Sequence, residues 1–125
     1  MKRGHFVWHD LMTKDPDAVK RFYAELFAGW TITPTDMGAM GTYDMIRSFG
    51  ESVGGVVSLG DAPIESHWIC YIACDDVDET CERIVAAGGE VCIQPIDIPG
   101  VGRFAVAEDP TGAWFSPFKG EDGMR

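Results

Sequence analysis

His67-Trp-Ile-Cys-Tyr-Ile-Ala-Cys74 runs into Asp76-Val-Asp78, then into Glu79-Thr-Cys-Glu-Arg-Ile-Val-Ala-Ala87 and the pair Gly88-Gly89. About sixty residues earlier the same plan is written as His5-Phe-Val-Trp-His-Asp-Leu11, Asp15-Pro-Asp17, Ala18-Val-Lys-Arg-Phe-Tyr-Ala-Glu-Leu-Phe27 and Gly29. Each stretch reads as an apolar strand, an aspartate cap, an amphipathic helix and a glycine stop. A plan stated twice signals two supersecondary units, each of which buries its apolar face only beside a neighbour.

Working outward, the first strand, about His5 to Met12, is apolar on both faces, which places it in the interior of its sheet. Asp15 or Asp17 can cap the helix with Pro16 in the first turn, and Val19, Phe22, Tyr23, Leu26 and Phe27 fall on one stripe before Gly29 ends it. Trp30 to Pro34 is β-rich, Asp36 to Gly41 a turn, Thr42 to Phe49 a strand, and Gly54 to Leu59 another after a turn at Gly50-Glu51. Gly60 to Ser66 gathers turn residues and links the units. The second unit then offers strands over His67 to Cys74, Glu90 to Gln94, Gly102 to Glu108 and Ala113 to Phe118, with Asp109-Pro-Thr-Gly112 as the turn before the last. Lys119 to Arg125 reads as a short, mobile polar tail. The whole is one domain over 1–125, with module one at about 4–60 and module two at about 66–119.

The 125 residues suit a single domain, and a 46% hydrophobic, 11% aromatic composition is that of a globular chain. No apolar run approaches the roughly 18 residues of a membrane span, and His9 and Asp10 interrupt any signal-peptide core after Met1-Lys-Arg3, so the expected location is the cytoplasm. Twenty acidic against ten basic residues, a net charge of -10, argue against nucleic acid as a partner. Cys70, Cys74, Cys81 and Cys92 sit in apolar surroundings and read as reduced core thiols. Cys70 and Cys74, four apart on a strand, are separated by roughly 13 Å, too far for a shared metal or a disulfide.

Phe22-Tyr23 with Leu26-Phe27 and Gly29-Trp30, Asp75-Asp76-Val-Asp78 before the second helix, and Asp109-Pro-Thr-Gly112 before a closing apolar strand together resemble the vicinal oxygen chelate superfamily of glyoxalase I, extradiol dioxygenases and bleomycin-resistance proteins. The likeness spans about residues 4 to 119. It implies an α+β fold in which two tandem β-α-β-β-β modules form a U-shaped, eight-stranded mixed sheet around a cleft, often as a homodimer. In metal-dependent members, the first and last strands of each module supply His, Glu or Gln ligands. Carried onto this chain, those positions fall on Trp8, Ile69, Ser116 and the segment Val56 to Ser58. None of these residues is a histidine or a carboxylate.

His9 adjoins Trp8, but a one-residue shift on a strand turns a side chain to the opposite face. His67 shares a face with Ile69. His5 and His9 lie roughly 13 Å apart, beyond the ~2.1 Å reach of one metal to each nitrogen. His9 and His67 are therefore the alternative ligands if a divalent metal is bound, and no cofactor is the principal expectation. Alternation places Phe6, Trp8 and Asp10 on one face, with His67, Ile69 and Tyr71 and with Trp114, Ser116 and Phe118 as their counterparts. Phe6, Trp8, Ile69, Tyr71, Trp114, Ser116 and Phe118 are the candidate ligand-binding residues, an aromatic wall with few polar tips. Asp10, His67 and Tyr71 are the titratable groups there and the candidates for proton transfer. No G-x-S-x-G, P-loop or Rossmann glycine pattern is present, and Gly54-Gly55 and Gly88-Gly89 read as bulge or helix-stop glycines.

The expected function is a metal-free binder of a small hydrophobic or aromatic molecule in the cleft between modules, with a small molecule and a second copy of the chain as partners. The alternatives are an atypical metal-dependent lyase or isomerase of the glyoxalase type, or a dioxygenase, and a structural or partner-binding module with a filled cleft.

Overall fold

The computed structural model describes residues 3–36, 42–98 and 100–121. Among them the elements follow in the order β1 (Phe6–Thr13), α1 (Pro16–Leu26), β2 (Trp30–Asp36), β3 (Thr42–Ser48), β4 (Glu51–Ser58), β5 (His67–Ala73), α2 (Val77–Ala86), β6 (Glu90–Ile98), β7 (Gly102–Glu108) and β8 (Trp114–Gly120). The α+β class and the doubled β-α-β-β-β plan are borne out, with parallel and antiparallel pairings mixed. The chain divides into two compact units, one of His9–Ile69 and one of Met1–Trp8 with Cys70–Arg125.

In the unit of His9–Ile69 the strands are hydrogen-bonded in the order β2-β3-β4-β1. β1 runs parallel to β4, with Asp10 opposite Gly55 and Leu11 opposite Val56, and the other pairings are antiparallel. Asp15 caps α1 by accepting the Ala18 N–H at 3.1 Å, and Pro16 follows where a missing N–H costs nothing. α1 lies on the side of the sheet to which Asp44 points, since Lys20 Nζ is 3.1 Å from the Asp44 carboxylate. By the two-residue strand period, Ile46 and its cross-strand row share that side, and Tyr43 and Met45 point to the other. Leu11, Ile46 and Val56 are buried, and full burial of such side chains contributes about 1.5–3 kcal/mol each.

In the other unit the order is β5-β8-β7-β6, with β5 parallel to β8 and the remaining pairs antiparallel. The residues leading into β1 flank β5, because the Gly4 N–H donates to the Ala73 carbonyl at 2.7 Å and the Ala73 N–H to the His5 carbonyl at 2.9 Å. Asp76 caps α2 through the Glu79 N–H at 3.0 Å. The helix stops at Gly88, whose φ of 99° favours glycine. Gly88 N–H bonds the Val85 carbonyl at 3.1 Å and Gly89 N–H the Ile84 carbonyl at 2.8 Å. Val77, Cys81 and Ala105 form the core beneath α2, with Cys74 and Val91 packed against it.

Several boundaries differ from the expected ones. Both helices begin earlier, at Pro16 and Val77, directly after their capping aspartates, and α1 ends at a Phe27 cap rather than at Gly29. The turn between β3 and β4 is centred on Phe49-Gly50, so that Glu51 already opens β4, three residues before the expected start. A register shift places Ile46 and Arg47 opposite Gly54 and Ser52, so the bulge falls on Val53, beside Gly54. β6 continues past Gln94 to Ile98 because it is the last strand of its order, where Pro95 and two register shifts are tolerated. Lys119 and Gly120 belong to β8, paired with Arg103 and Gly102, rather than to a tail. Residues 37–41 of the expected turn and 122–125 of the expected tail lie outside the described residues. All four cysteines are free thiols, and Cys92 is exposed rather than in the core.

Candidate functional site

In the unit of His9–Ile69, the face of the sheet turned away from α1 carries one polar arrangement built from three strands. Asp10 on β1 is 4% exposed, and the Tyr43 hydroxyl on β3 donates to its Oδ1. Gly55 on β4 lies between them. A Cβ at Gly55 would collide with the Tyr43 ring and hydroxyl, so the absent side chain is the slot through which the phenol reaches Asp10. A carboxylate taken out of water is costly unless donors face it, and Tyr43 supplies one. His9, one residue along, points to the opposite face by strand alternation and is exposed. His67 opens β5 with Nδ1–H donating to the Glu65 carbonyl at 2.8 Å. Ile69 is buried at 3% exposure.

In the other unit, the face of the sheet away from α2 is aromatic. Tyr71 on β5 stands 6.1 Å from Phe104 on β7 and 6.0 Å from Phe118 on β8, centroid to centroid, with the Phe118 ring edge-on. Phe104 and Phe118 are cross-strand partners, and Tyr71 pairs with Ser116. Tyr71, Phe104 and Trp114 are half-buried, so part of each ring reaches solvent. Ser116 is fully buried, with its hydroxyl donating to the Ala105 carbonyl. On β1, Phe6 is exposed and Trp8 half-buried. The structure therefore brings Tyr71 and Phe118 together with Phe104, and brings Asp10 to Tyr43.

The positions that the resemblance assigns to metal ligands do not make a donor set. Ile69 and Val56 are packed hydrocarbon, and the Ser116 hydroxyl is committed to a backbone carbonyl. Among the described residues, the three ligand atoms that do converge belong to Glu90 and Cys92 on β6 and Glu108 on β7, all within 4.8 Å of one another. His9 and His67 are not among them. The Cys92 thiol donates to the Glu108 carboxylate at 3.6 Å. Partial burial pushes this thiol up from its ordinary value, and the bond to Glu108 and the charges of Glu108 and Glu90 push it the same way. A depression of about 400 Å³ adjoins the two glutamates, lined also by Gly88, Gly89 and the Asp109–Gly112 turn. Its walls are glycines, acids and turn residues, and it holds none of the aromatic positions.

Asp109 organises that turn: its Oδ1 accepts from the Thr111 N–H at 2.8 Å, the Thr111 hydroxyl at 2.7 Å and the Ala113 N–H at 3.1 Å. The Thr111 hydroxyl and the backbone donors hold the Asp109 carboxyl below its usual range. Arg103 grips Asp78 with two parallel bonds of 2.9 Å and Asp97 with one of 3.0 Å. That grip ties the first turn of α2 to β7 and lowers Asp78.

Tyr43, Phe104 and the Glu90–Cys92–Glu108 group were not among the residues singled out from sequence. Gly55 was the available signal for Tyr43, since a glycine inside a strand marks a close approach by another group. The other two follow from the antiparallel register of β6, β7 and β8, which sequence spacing does not show.

The sequence model of the Glyoxalase/Bleomycin resistance protein/Dioxygenase superfamily matches residues 2–116. CFP32 of Mycobacterium bovis, provisionally named a glyoxylase, is 40% identical over 116 residues, covering 93% of this chain and 44% of that protein. The anthracycline biosynthesis protein DnrV of Streptomyces peucetius is 36% identical over 130 residues, covering 93% of this chain and 47% of that protein. The chain thus spans less than half the length of these curated relatives. Among solved structures, a Streptomyces coelicolor methylmalonyl-CoA epimerase superposes with a TM-score of 0.63 at 16% identity, over 99% of both chains. The Mn(II)-bound glyoxalase of Novosphingobium aromaticivorans superposes with a TM-score of 0.61 at 22% identity, over 95% of this chain and 40% of that one. At these identities the structural likeness is one of fold.

Proposed function

The chain belongs to the glyoxalase/bleomycin resistance protein/dioxygenase superfamily, and from that premise we propose that it binds a small planar aromatic molecule without a metal. The observation that carries this reading is the aromatic face on which half-buried Tyr71 and Phe104 stand over buried Phe118, with Tyr71 about 6 Å from each of the other two rings. Such a face offers stacking and edge contacts to a flat ligand, and Trp114 extends it along β8. The identity to DnrV, whose name places it in the making of a polycyclic aromatic compound, supports a planar ligand. The lack of a ligand set at Trp8, Ile69 and Ser116 supports a reading without a metal. No described helix is long and apolar enough to cross a membrane, and we place the protein in the cytoplasm.

The test is a titration of the purified chain with an anthracycline, following quenching of intrinsic tyrosine and tryptophan emission. Saturable quenching that weakens in Tyr71→Ala supports the reading. Quenching that is linear in ligand, or the same in the variant, refutes it.

A metal-dependent lyase or isomerase is the second reading, favoured by the convergence of Glu90, Cys92 and Glu108. Two carboxylates and a thiol suit a borderline divalent ion such as zinc. Metal content by mass spectrometry, as isolated and after incubation with nickel, zinc, manganese and iron, separates the two. One ion retained per chain and lost in Cys92→Ala favours the lyase or isomerase.

A further inference from the structure

We infer that the ligand of the aromatic face carries a positive charge, an ammonium or other organic cation held by Glu90 and Glu108; the inference rests on the aromatic-binding reading above. Phe104 pairs with Phe118, Tyr71 with Ser116, and Glu108 with Trp114. Side chains two apart along a strand share a face. Phe104 and Glu108 on β7 therefore point the same way as Phe118, Ser116 and Trp114 on β8, away from α2. On β6 the partner of Glu108 is Glu90, and the Cys92 thiol reaches the Glu108 carboxylate at 3.6 Å. At about 3.4 Å per residue, the Glu108–Trp114 row lies roughly 7 Å from the row of Tyr71 and roughly 13 Å from that of Phe104 and Phe118. A flat ring system stacked on Tyr71 and Phe104 thus brings a substituent on its edge to the two carboxylates.

The electrostatics favour a cation there. Like charges directly opposite on neighbouring strands are destabilising, yet Glu90 and Glu108 form such a pair, with their oxygens and the Cys92 sulfur within 4.8 Å of one another. The depression of about 400 Å³ beside them adds Asp109, and no described lysine or arginine lines it. Its Gly88-Gly89 corner follows the C-terminal end of α2, the negative pole of the helix dipole. Trp114, on the other flank of Glu108, belongs to the side-chain type best suited to face a cation.

The state of the thiol favours an organic cation over a metal ion. Partial burial and the two glutamates keep Cys92 protonated. A metal ion binds cysteine as the thiolate and so must displace that proton. An ammonium needs only acceptors, which the carboxylates supply.

Fluorescence titration of the full chain with 1-pyrenemethylamine and its uncharged counterpart 1-pyrenemethanol tests this. EDTA strips metal ions and ~150 mM salt screens remote charges. The amine is expected to bind at least ~10-fold more tightly than the alcohol, as one charge-assisted hydrogen bond implies. Glu108→Gln and Glu90→Gln, checked for folding by circular dichroism, should each cut that preference to below ~3-fold and leave affinity for the alcohol unchanged. Glu82→Gln on the exposed side of α2 removes the same net charge at a distance and should keep the preference. An amine no tighter than the alcohol, with both still weakened by Tyr71→Ala, overturns this inference and leaves the aromatic reading standing. A preference that survives both glutamine variants, or falls equally in Glu82→Gln, overturns it by assigning the charge effect elsewhere. Failure of both probes to bind overturns the aromatic reading and this inference together.

Discussion

The Tyr43 hydroxyl donates to the Oδ1 of Asp10 from 33 residues away in the chain, reaching over Gly55 on the strand between. The contact joins β1 to β3 across β4. A carboxylate 4% exposed on a sheet face needs a donor, and a phenol can lie across β4 only where the intervening residue has no side chain.

Tyr43→Phe is therefore expected to destabilise the fold by about 1–3 kcal/mol, the usual cost of leaving a buried polar group short of a partner. In that background Asp10→Asn should recover part of the loss, because a neutral amide is cheaper to keep out of water than a carboxylate. Urea denaturation of the two single variants and the double measures both. An unchanged midpoint in Tyr43→Phe would mean that the bond contributes nothing net.

Gly55→Ala should cost more than its one methyl suggests, about 1–3 kcal/mol, because the new Cβ meets the Tyr43 ring. The effect should nearly vanish in a Tyr43→Ala background, where the ring is gone. Such non-additivity between contacting residues is what a double-mutant cycle detects. Equal costs in both backgrounds would show that backbone conformation, not the ring, demands glycine.

Ligand affinity should follow the ring of Tyr71 rather than its hydroxyl. Tyr71→Ala is expected to weaken binding of a planar aromatic by ~10-fold, as the loss of one aromatic contact implies. Tyr71→Phe keeps both ring contacts and should leave the affinity within ~2-fold. Isothermal titration of the two variants reads the difference, and a large loss in Tyr71→Phe would instead assign the hydroxyl a hydrogen bond to the ligand.

Cys92 is exposed, yet desolvation and the neighbouring Glu108 and Glu90 hold its thiol protonated above the ordinary range. Alkylation by iodoacetamide should accordingly rise with pH along a curve displaced to the alkaline side of a free cysteine. Glu108→Gln removes one negative charge and should shift that curve back toward lower pH. Peptide mass spectrometry across a pH series measures the midpoints. A curve that moves the other way would place the glutamate away from the thiol.

Arg103 lowers the pKa of Asp78, so this pair should help the fold at neutral pH and fail in acid. A carboxylate with a depressed folded-state pKa contributes fully above its unfolded value of about 3.9, and the contribution is lost as pH falls through the depressed one. Arg103→Ala should therefore reduce the dependence of the melting temperature on pH below about 4. Arg103→Lys should restore little of it, since an ammonium cannot make the two parallel bonds. Calorimetry at several acid pH values distinguishes the slopes.

Much of the fold is legible in the sequence because the signals are local. Asp15 and Asp76 cap their helices within three residues, Gly88 stops α2 by its own left-handed φ, and Asp109 bonds Thr111 and Ala113. The repeat of strand, cap, helix and stop therefore suffices for the β-α-β-β-β order, and alternation along β5 and β8 puts Tyr71 and Phe118 on one face. Strand ends are less legible, because β6 and β8 continue for as long as β7 offers a partner.

What the sequence by itself determined, then, is the two-module plan and which residues share a strand face. Only the tertiary structure decided that Tyr43 donates to Asp10, that Glu90, Cys92 and Glu108 converge, and that Phe22, Leu26 and Phe27 of the α1 stripe stay exposed. Each of those outcomes depends on register and on which side of a sheet a helix comes to rest. Both are set by the summed packing of residues far apart in the chain, and no local spacing encodes them.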